Sequence, residues 1–185
     1  MPEDIAGWIN KNPERKRILL AFAEPRTIKQ AQTALSVRKL TLKSFINNAC
    51  LKCLNSHARK GRFYVLSKKA RDCLKPNCYE YDSKKDWGCI GWVVSSPRMR
   101  LAVLRSVDGR KLYSEEIRMV ATQFNCRLSR TWTRNTLKEL TEKNLVQSEI
   151  MEHIRFFWIT PYGQKIKDEL AVIAPLSPSI SSVVS

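Results

Sequence analysis

Residues 128–145 read LSRTWTRNTLKELTEKNL. Ser129 is a strong N-cap residue, because its hydroxyl oxygen accepts a hydrogen bond from an amide of the first turn that has no partner inside the helix. Beyond it Thr133, Thr136, Leu137, Leu140 and Thr141 recur at the i, i+3, i+4, i+7, i+8 spacing of one helical face. The spacing predicts a helix that packs inward on those residues. At about 100° per residue, the opposite side of the early turns carries Thr131, Arg134, Asn135 and Lys138, with Arg130 at the helix start. A helix entering a DNA major groove needs such side chains on its N-terminal half, where Arg, Asn and Lys reach base acceptors and phosphates. An ordinary amphipathic surface helix satisfies the same spacing, so the flanking sequence has to decide. Trp132 stands among the outward residues, and both packing on a neighbouring helix and contact with a thymine methyl or a sugar are open to it.

Downstream, the hydrophobic period changes from helical to alternating. Val146 to Ile150, a short acidic tip and Ile154 to Thr160 read as two strands and their turn, and Tyr162 to Ile173 reads as a closing helix. Upstream, Arg98 to Val107 carries Leu101, Val103, Leu104 and Val107, and Ser114 to Phe124 carries Ile117, Val120, Ala121 and Phe124. Both read as helices. The second half of the chain is therefore three helices, a two-stranded hairpin and a last helix.

The first half repeats that order. Pro13 suits a first helical position, and Arg15 to Ala23 follows it with Ile18, Leu19 and Phe22 on one side. Thr27 caps a second helix, IKQAQTAL, with Ile28, Ala31 and Leu35 inward. Ser36 is expected to cap a third, VRKLTLKSFINNA, with Leu42, Phe45, Ile46 and Ala49 as its inner stripe. Leu51 to Leu54 and Phe63 to Leu66 then read as strands on either side of a basic tip containing Gly61, and Lys68 to Leu74 as a final helix. Phe63, Tyr64, Val65, Leu66, Ser67 correspond to Phe156, Phe157, Trp158, Ile159, Thr160, so one unit occurs twice. The expected domains are 1–75 and 98–174. Between them, 76–97 is a turn-rich but apolar-containing linker expected to pack on one or both, and 175–185 is a low-complexity tail without assigned function.

The balance of charge narrows the partner. The chain has 185 residues, 43% of them hydrophobic, and its 33 Lys and Arg against 17 Asp and Glu leave +16. A globular protein this basic favours a polyanion, either nucleic acid or an acidic membrane surface. No apolar run approaches the roughly 20 residues of a membrane span, and the N-terminus has no signal-peptide form. The expected location is the cytoplasm, in association with the nucleoid. Residues 1–75 carry 17 basic and 5 acidic groups, and from Pro25 to Arg71 there is no Asp or Glu at all. Solubility alone does not require an acid-free run of that length, whereas a face that meets phosphates does. Within it Lys39 and Lys43 lie on the third helix, and Arg59, Lys60 and Arg62 lie at the hairpin tip. The second tip has Glu149, Glu152, His153 and Arg155 in that place, so Arg155 is its one clear phosphate ligand.

With these elements in place, a family resemblance is visible. SEEIRMVATQF, LSRTWTRNTLKELTEKNLV and RFFWITPYGQKIKDEL together resemble winged-helix transcription regulators of the broad MarR and ArsR type. TIKQAQTALS and LKCLNSHARKGRFYVLS look like winged-helix domains common in archaeal regulators. The resemblance implies an α+β, mainly α fold of two winged helix-turn-helix domains in tandem. It implies double-stranded DNA as partner, with Arg130, Thr131, Arg134, Asn135, Lys138 and Arg155 in the second copy and Lys39, Lys43, Arg59, Lys60 and Arg62 in the first at the interface. The first copy departs in its shortened second helix, which blurs the register of its groove helix. The chain also lacks the long extra helices through which single-domain MarR-type proteins dimerise. Two copies in one polypeptide could serve two half-sites, and a homodimer is equally open.

Other chemistries find little support. Cys50, Cys53, Cys73 and Cys78 give a C-x2-C followed by a C-x4-C, which overlaps zinc spacing. The first pair, however, lacks the Gly and Pro of a zinc knuckle and falls at the entry to a buried strand, where cysteine is an ordinary core residue. We therefore expect no metal and no cofactor. His57 and His153 lie near the tips and read as solvated. No phosphate-cradling glycine loop, nucleophile elbow or fixed carboxylate pair points to an enzyme. The leading expectation is a sequence-specific DNA-binding regulator. A replication or plasmid-maintenance initiator would use the same surface, and a protein-interaction scaffold is opposed by the +16 charge.

Overall fold

The computed structural model describes residues 5–74, 84–124 and 128–173, apart from the side chains at 39, 40, 97 and 98. The fold is mixed, mainly helical, with two small three-stranded sheets. The chain divides into two compact units, Met1–Gly91 and Trp92–Ser185.

Unit 1 begins with α1 (Ile5–Asn10) and α2 (Pro13–Leu20). Asn12 separates them, its side-chain oxygen accepting from the Glu14 amide at 2.8 Å while Pro13 occupies a position that needs no donor. The strand β1 (Arg26–Thr27) runs directly into α3 (Ile28–Leu35). Thr27 and Gln30 form a reciprocal capping box: Thr27 Oγ1 accepts from the Gln30 amide at 3.2 Å, and Gln30 Oε1 accepts from the Thr27 amide at 2.8 Å. There follow α4 (Lys39–Asn47), β2 (Leu51–Cys53), β3 (Phe63–Leu66) and α5 (Lys68–Leu74). Ile18, Leu19, Phe22, Ala31, Leu42, Phe45, Cys50, Leu51, Tyr64, Leu66 and Ala70 bury one core between helices and sheet.

Two local expectations are corrected here. Ser36 does not cap α4; it ends α3 in the left-handed region, φ 54°, and α4 starts after Arg38 without a side-chain cap. Ala49 is not part of the inner stripe: it is exposed, with φ 55°, and turns the chain out of α4 toward β2. A sequence pattern cannot distinguish a serine that starts a helix from one that stops the preceding helix three residues earlier.

The turn-rich stretch after unit 1's last strand and helix contains a further helix, α6 (Trp87–Val94), whose first residues belong to unit 1 and whose last belong to unit 2. One π-helical turn, Pro97–Leu101, leads into α7 (Ala102–Ser106). Next come β4 (Leu112–Tyr113), α8 (Ser114–Thr122), α9 (Arg130–Glu142), β5 (Val146–Met151), β6 (Ile154–Ile159) and α10 (Pro161–Ile173). Val103, Leu104, Ile117, Ala121, Leu137, Leu140, Leu145, Val146, Phe157, Ile159, Ile166 and Leu170 are among the buried apolar residues of unit 2.

The two units repeat one hydrogen-bonding plan. The sheets are ordered β1-β3-β2 and β4-β6-β5, antiparallel throughout. Thr27 pairs with Phe63 as Tyr113 pairs with Phe156. Ala49 and Asn144 both turn the chain at φ 55°, after which Cys50 donates to Phe45 and Leu145 to Leu140. The Ser67 amide donates to the Cys50 carbonyl at 2.9 Å, and the Thr160 amide to that of Leu145 at 3.1 Å. Each hydroxyl then accepts from the first turn of the closing helix, from Ala70 at 3.3 Å and from Gly163 at 2.8 Å. The differences lie between these fixed points. The helix before the hairpin has nine residues in unit 1 and thirteen in unit 2, and the hairpin strands are longer in unit 2.

Candidate nucleic-acid interface

In α9 the local chemistry works as its sequence suggests. The Ser129 side chain accepts from the Trp132 amide at 3.2 Å and fixes where the helix begins. Thr133, Thr136, Leu137 and Leu140 are buried, and Thr141 is half-buried with its hydroxyl returned to the Leu137 carbonyl at 2.9 Å. That anchoring leaves Arg130, Thr131, Arg134, Asn135 and Lys138 exposed on the other side. Among the described residues none forms an ion pair or side-chain hydrogen bond with Arg134, Asn135 or Lys138. A guanidinium, an amide and an ammonium thus stand in water with their donors unspent, within two turns of one helix.

Arg130 is held differently. Its Nε lies 3.3 Å from Glu115 Oε2, and the same carboxylate takes Arg118 at 2.6 Å. The Arg118 guanidinium, and after it Arg130, holds the Glu115 carboxyl below the ordinary carboxylate value. Arg118 also donates to the Leu128 carbonyl at 3.3 Å, which ties α8 to the residue before the Ser129 cap. Trp132 is 56% exposed, so it does not pack into a neighbouring helix. Sequence reasoning missed the brace behind α9. Arg100 donates to Glu139 Oε2 at 2.8 Å, its guanidinium lies 4.2 Å from the centre of the Trp92 ring, and Lys143 lies 5.9 Å from the same ring. The partners are 39 residues apart in sequence, and no local period marks them.

In unit 1, Lys43 is exposed on α4, and Lys39 opens that helix with its side chain outside the described residues. Arg59, Lys60 and Arg62 are exposed on the loop between β2 and β3. The loop is built around Asn55, which is buried. Its side-chain oxygen accepts from the Phe63 amide at 2.8 Å, and its amide nitrogen donates to the carbonyls of Gly61 and Trp87, each at 3.0 Å. Arg62 Nε closes the loop on the Ala58 carbonyl at 2.7 Å. Gly61 has φ 69° and lies so close to the Gly91 backbone that a side chain at either glycine would collide with the other carbonyl. A polar residue this completely satisfied fixes the path of the loop. Nothing in the linear sequence distinguishes Asn55 from a solvated loop asparagine.

The second hairpin carries Arg155, exposed, opposite Ile150 in the register. Glu149 is paired with Lys111 at 2.7 Å. His57 and His153 are exposed. Cys50 is buried, and burial, with the neighbouring Cys73, pushes its thiol up from the ordinary value. Among the described residues no three His, Cys, Asp or Glu side chains come together as a metal site, and Cys78 lies outside the described residues. Among them also, no helix is long and apolar enough to cross a membrane.

No family model matches the chain, and no curated protein matches it. Among solved structures it is similar to the DIP2311 protein of Corynebacterium diphtheriae, at 13% identity over 79% of this chain, with a TM-score of 0.27. The match spans 26% of that protein's length. A likeness this distant carries no argument about fold or activity.

Proposed function

We propose that this protein binds double-stranded DNA by sequence, as a transcription regulator of the cytoplasm and nucleoid, through two winged helix-turn-helix units. In this reading α8 and α9 are the helix-turn-helix of the second unit, α3 and α4 that of the first, and the hairpins β2–β3 and β5–β6 are the wings. MarR- and ArsR-type regulators are the families it resembles. The observation that carries the proposal is the exposed row Arg134, Asn135 and Lys138 on a helix anchored from behind by Leu137 and Leu140. Bidentate donors such as Arg on guanine and Asn on adenine discriminate bases only when the helix beneath them is held in one place. The net charge of +16 and the cationic loop of unit 1 supply the sequence-independent attraction to phosphates.

The test is selection of bound duplexes from a random library across a salt series, with single strands as the comparison. A recovered motif together with affinity that falls steeply with salt is the expected result. Arg134→Ala should then relax the preference at one position and weaken binding to the preferred site by about 1–3 kcal/mol. Equal weakening on every sequence would reduce Arg134 to a phosphate contact. Motif-free, salt-insensitive binding would remove the proposal.

A further inference from the structure

The shared hydrogen-bonding plan sets α4 and α9 in register. Cys50 donates to Phe45 as Leu145 donates to Leu140, so Phe45 corresponds to Leu140 and Lys43 to Lys138. Counted back along both chains, Val37 corresponds to Trp132. Val37 precedes α4 and is half-buried against the core of unit 1. Trp132 lies in the first turn of α9 and is 56% exposed. A large aromatic ring in water is thus peculiar to unit 2 and is not demanded by the plan that the two units share.

The backbone beneath that ring is fixed. The Trp132 amide donates to Ser129 Oγ at 3.2 Å, and Thr133 donates to the Ser129 carbonyl through both its amide and its hydroxyl, each at 3.0 Å. An indole turns about only two side-chain bonds, so little freedom remains to be lost on contact. Among the described residues no side chain bonds to the indole or stacks on it. Its surroundings are cationic and polar: Arg130 and Thr131 precede it, and Asn135, exposed three residues on, is its neighbour on the helix surface. The carboxylates close to this end are answered, Glu115 by Arg118 and Arg130 and Glu139 by Arg100, while Glu142 lies in the last turn. Charge at the start of α9 therefore draws a polyanion toward the ring.

We infer that Trp132 is a specificity-determining residue that reads the 5-methyl group of a thymine in the major groove, an inference that rests on the DNA-binding function proposed above. The chemistry of the groove selects the ligand. In a duplex the base faces are stacked on one another, so only base edges are open to a side chain. Along the major groove those edges present hydrogen-bond donors and acceptors, and one apolar group, the thymine methyl. An indole is apolar over all but its single N–H, so the methyl is the one feature of the groove floor that matches most of its surface. Arg134 is matched to guanine and Asn135 to adenine. Trp132 supplies the contact with thymine that neither of them makes, at or next to the base pair whose adenine Asn135 reads. A sugar would cover the same ring on any sequence, and an unpaired base would stack on it with or without a methyl group.

The test uses the full chain and a duplex carrying its selected motif, in which each thymine is replaced singly by deoxyuridine. That exchange removes the methyl group and keeps the base pairing. The expected result is one position at which the wild type loses about fourfold in affinity, the worth of one buried methyl. Trp132→Ala, with unchanged far-UV dichroism, should bind the motif more weakly and no longer distinguish thymine from deoxyuridine at that position, and Trp132→Phe should keep part of the difference. Wild-type affinity indifferent to every deoxyuridine overturns the inference, while the selected motif leaves the DNA-binding function standing. A Trp132→Ala variant that loses affinity equally on all duplexes also overturns it, since the ring then meets sugar or backbone. Failure to select any motif removes both the inference and the function on which it rests.

Discussion

In unit 1 the hairpin ends in a loop from Leu54 to Arg62 that carries Arg59, Lys60 and Arg62 and is pinned by Asn55 to the Trp87 carbonyl. In unit 2 the hairpin closes through two residues, Glu152 and His153, both with positive φ as a two-residue turn requires, and is flanked by Met151 and Ile154. Strand order, register and the bonds through Ser67 and Thr160 are nevertheless shared. The backbone plan is indifferent to what its tips carry. A long loop needs an internal anchor before its charges can act together, whereas a tight turn is fixed by its own dihedrals and can present apolar side chains without one. Binding chemistry can therefore diverge between two copies of a unit with little change in what holds each copy together.

The largest expected effect breaks the shared plan itself. The Gly163 and Ala70 amides donate to equivalent hydroxyl caps, Thr160 and Ser67, but a methyl at Gly163 would run into the Leu145 carbonyl. Gly163→Ala should destabilise unit 2 by about 2–4 kcal/mol. The loss should appear as an earlier denaturant transition for unit 2 alone, with the Trp87-containing unit unmoved. Next in size is Asn55→Ala, which leaves the Phe63 amide and the Gly61 carbonyl without their side-chain partner. A cost of about 2–3 kcal/mol is expected, together with faster hydrogen exchange at Phe63; unchanged exchange would mean that the loop is held by something other than Asn55.

Smaller effects sharpen the contrast between the tips. If unit 1's loop meets phosphates, Arg59→Ala and Lys60→Ala should each flatten the slope of log affinity against log salt by about 0.9 on any duplex. Glu152→Ala at the other tip should not flatten it. The smallest effect concerns Arg130, which Glu115 shares with Arg118. Glu115→Gln should release Arg130 and raise affinity for duplex DNA modestly, measured by anisotropy at low salt. Because Arg118 and then Arg130 lower the Glu115 pKa from its ordinary 4.5, the stability from this cluster is fully present above that value and is lost as pH falls through the lowered one. Glu115→Gln should remove that acid limb from a titration of unit 2 stability.

Much of this architecture is legible in the residues. Thr27 and Gln30 announce a capping box, Ser129 announces the start of α9, and Leu137 and Leu140 identify its buried side, because caps and helical faces depend on neighbours a few positions away. The short strands β1 and β4 were not legible, since two residues carry no period and are recruited only when β3 and β6 come alongside. The helix α6 escaped notice for a related reason: Gly88 and Gly91 read as turn residues, while Gly91 in fact permits close approach to Gly61. Ser36 looked like a start signal because its chemistry suits either end of a helix.

The sequence by itself determined the order of the longer helices and of the two hairpins, the doubling of that order, the inward and outward sides of α9 and the acid-free run from Pro25 to Arg71. Those properties follow from composition and from spacings within one or two turns. Only the tertiary structure decided that Asn55 anchors a loop, that Arg100 braces α9 through Glu139, and that Arg130 is partly neutralised by Glu115. Each depends on groups brought together from distant positions, where burial and hydrogen-bond satisfaction, not local propensity, set the free energy.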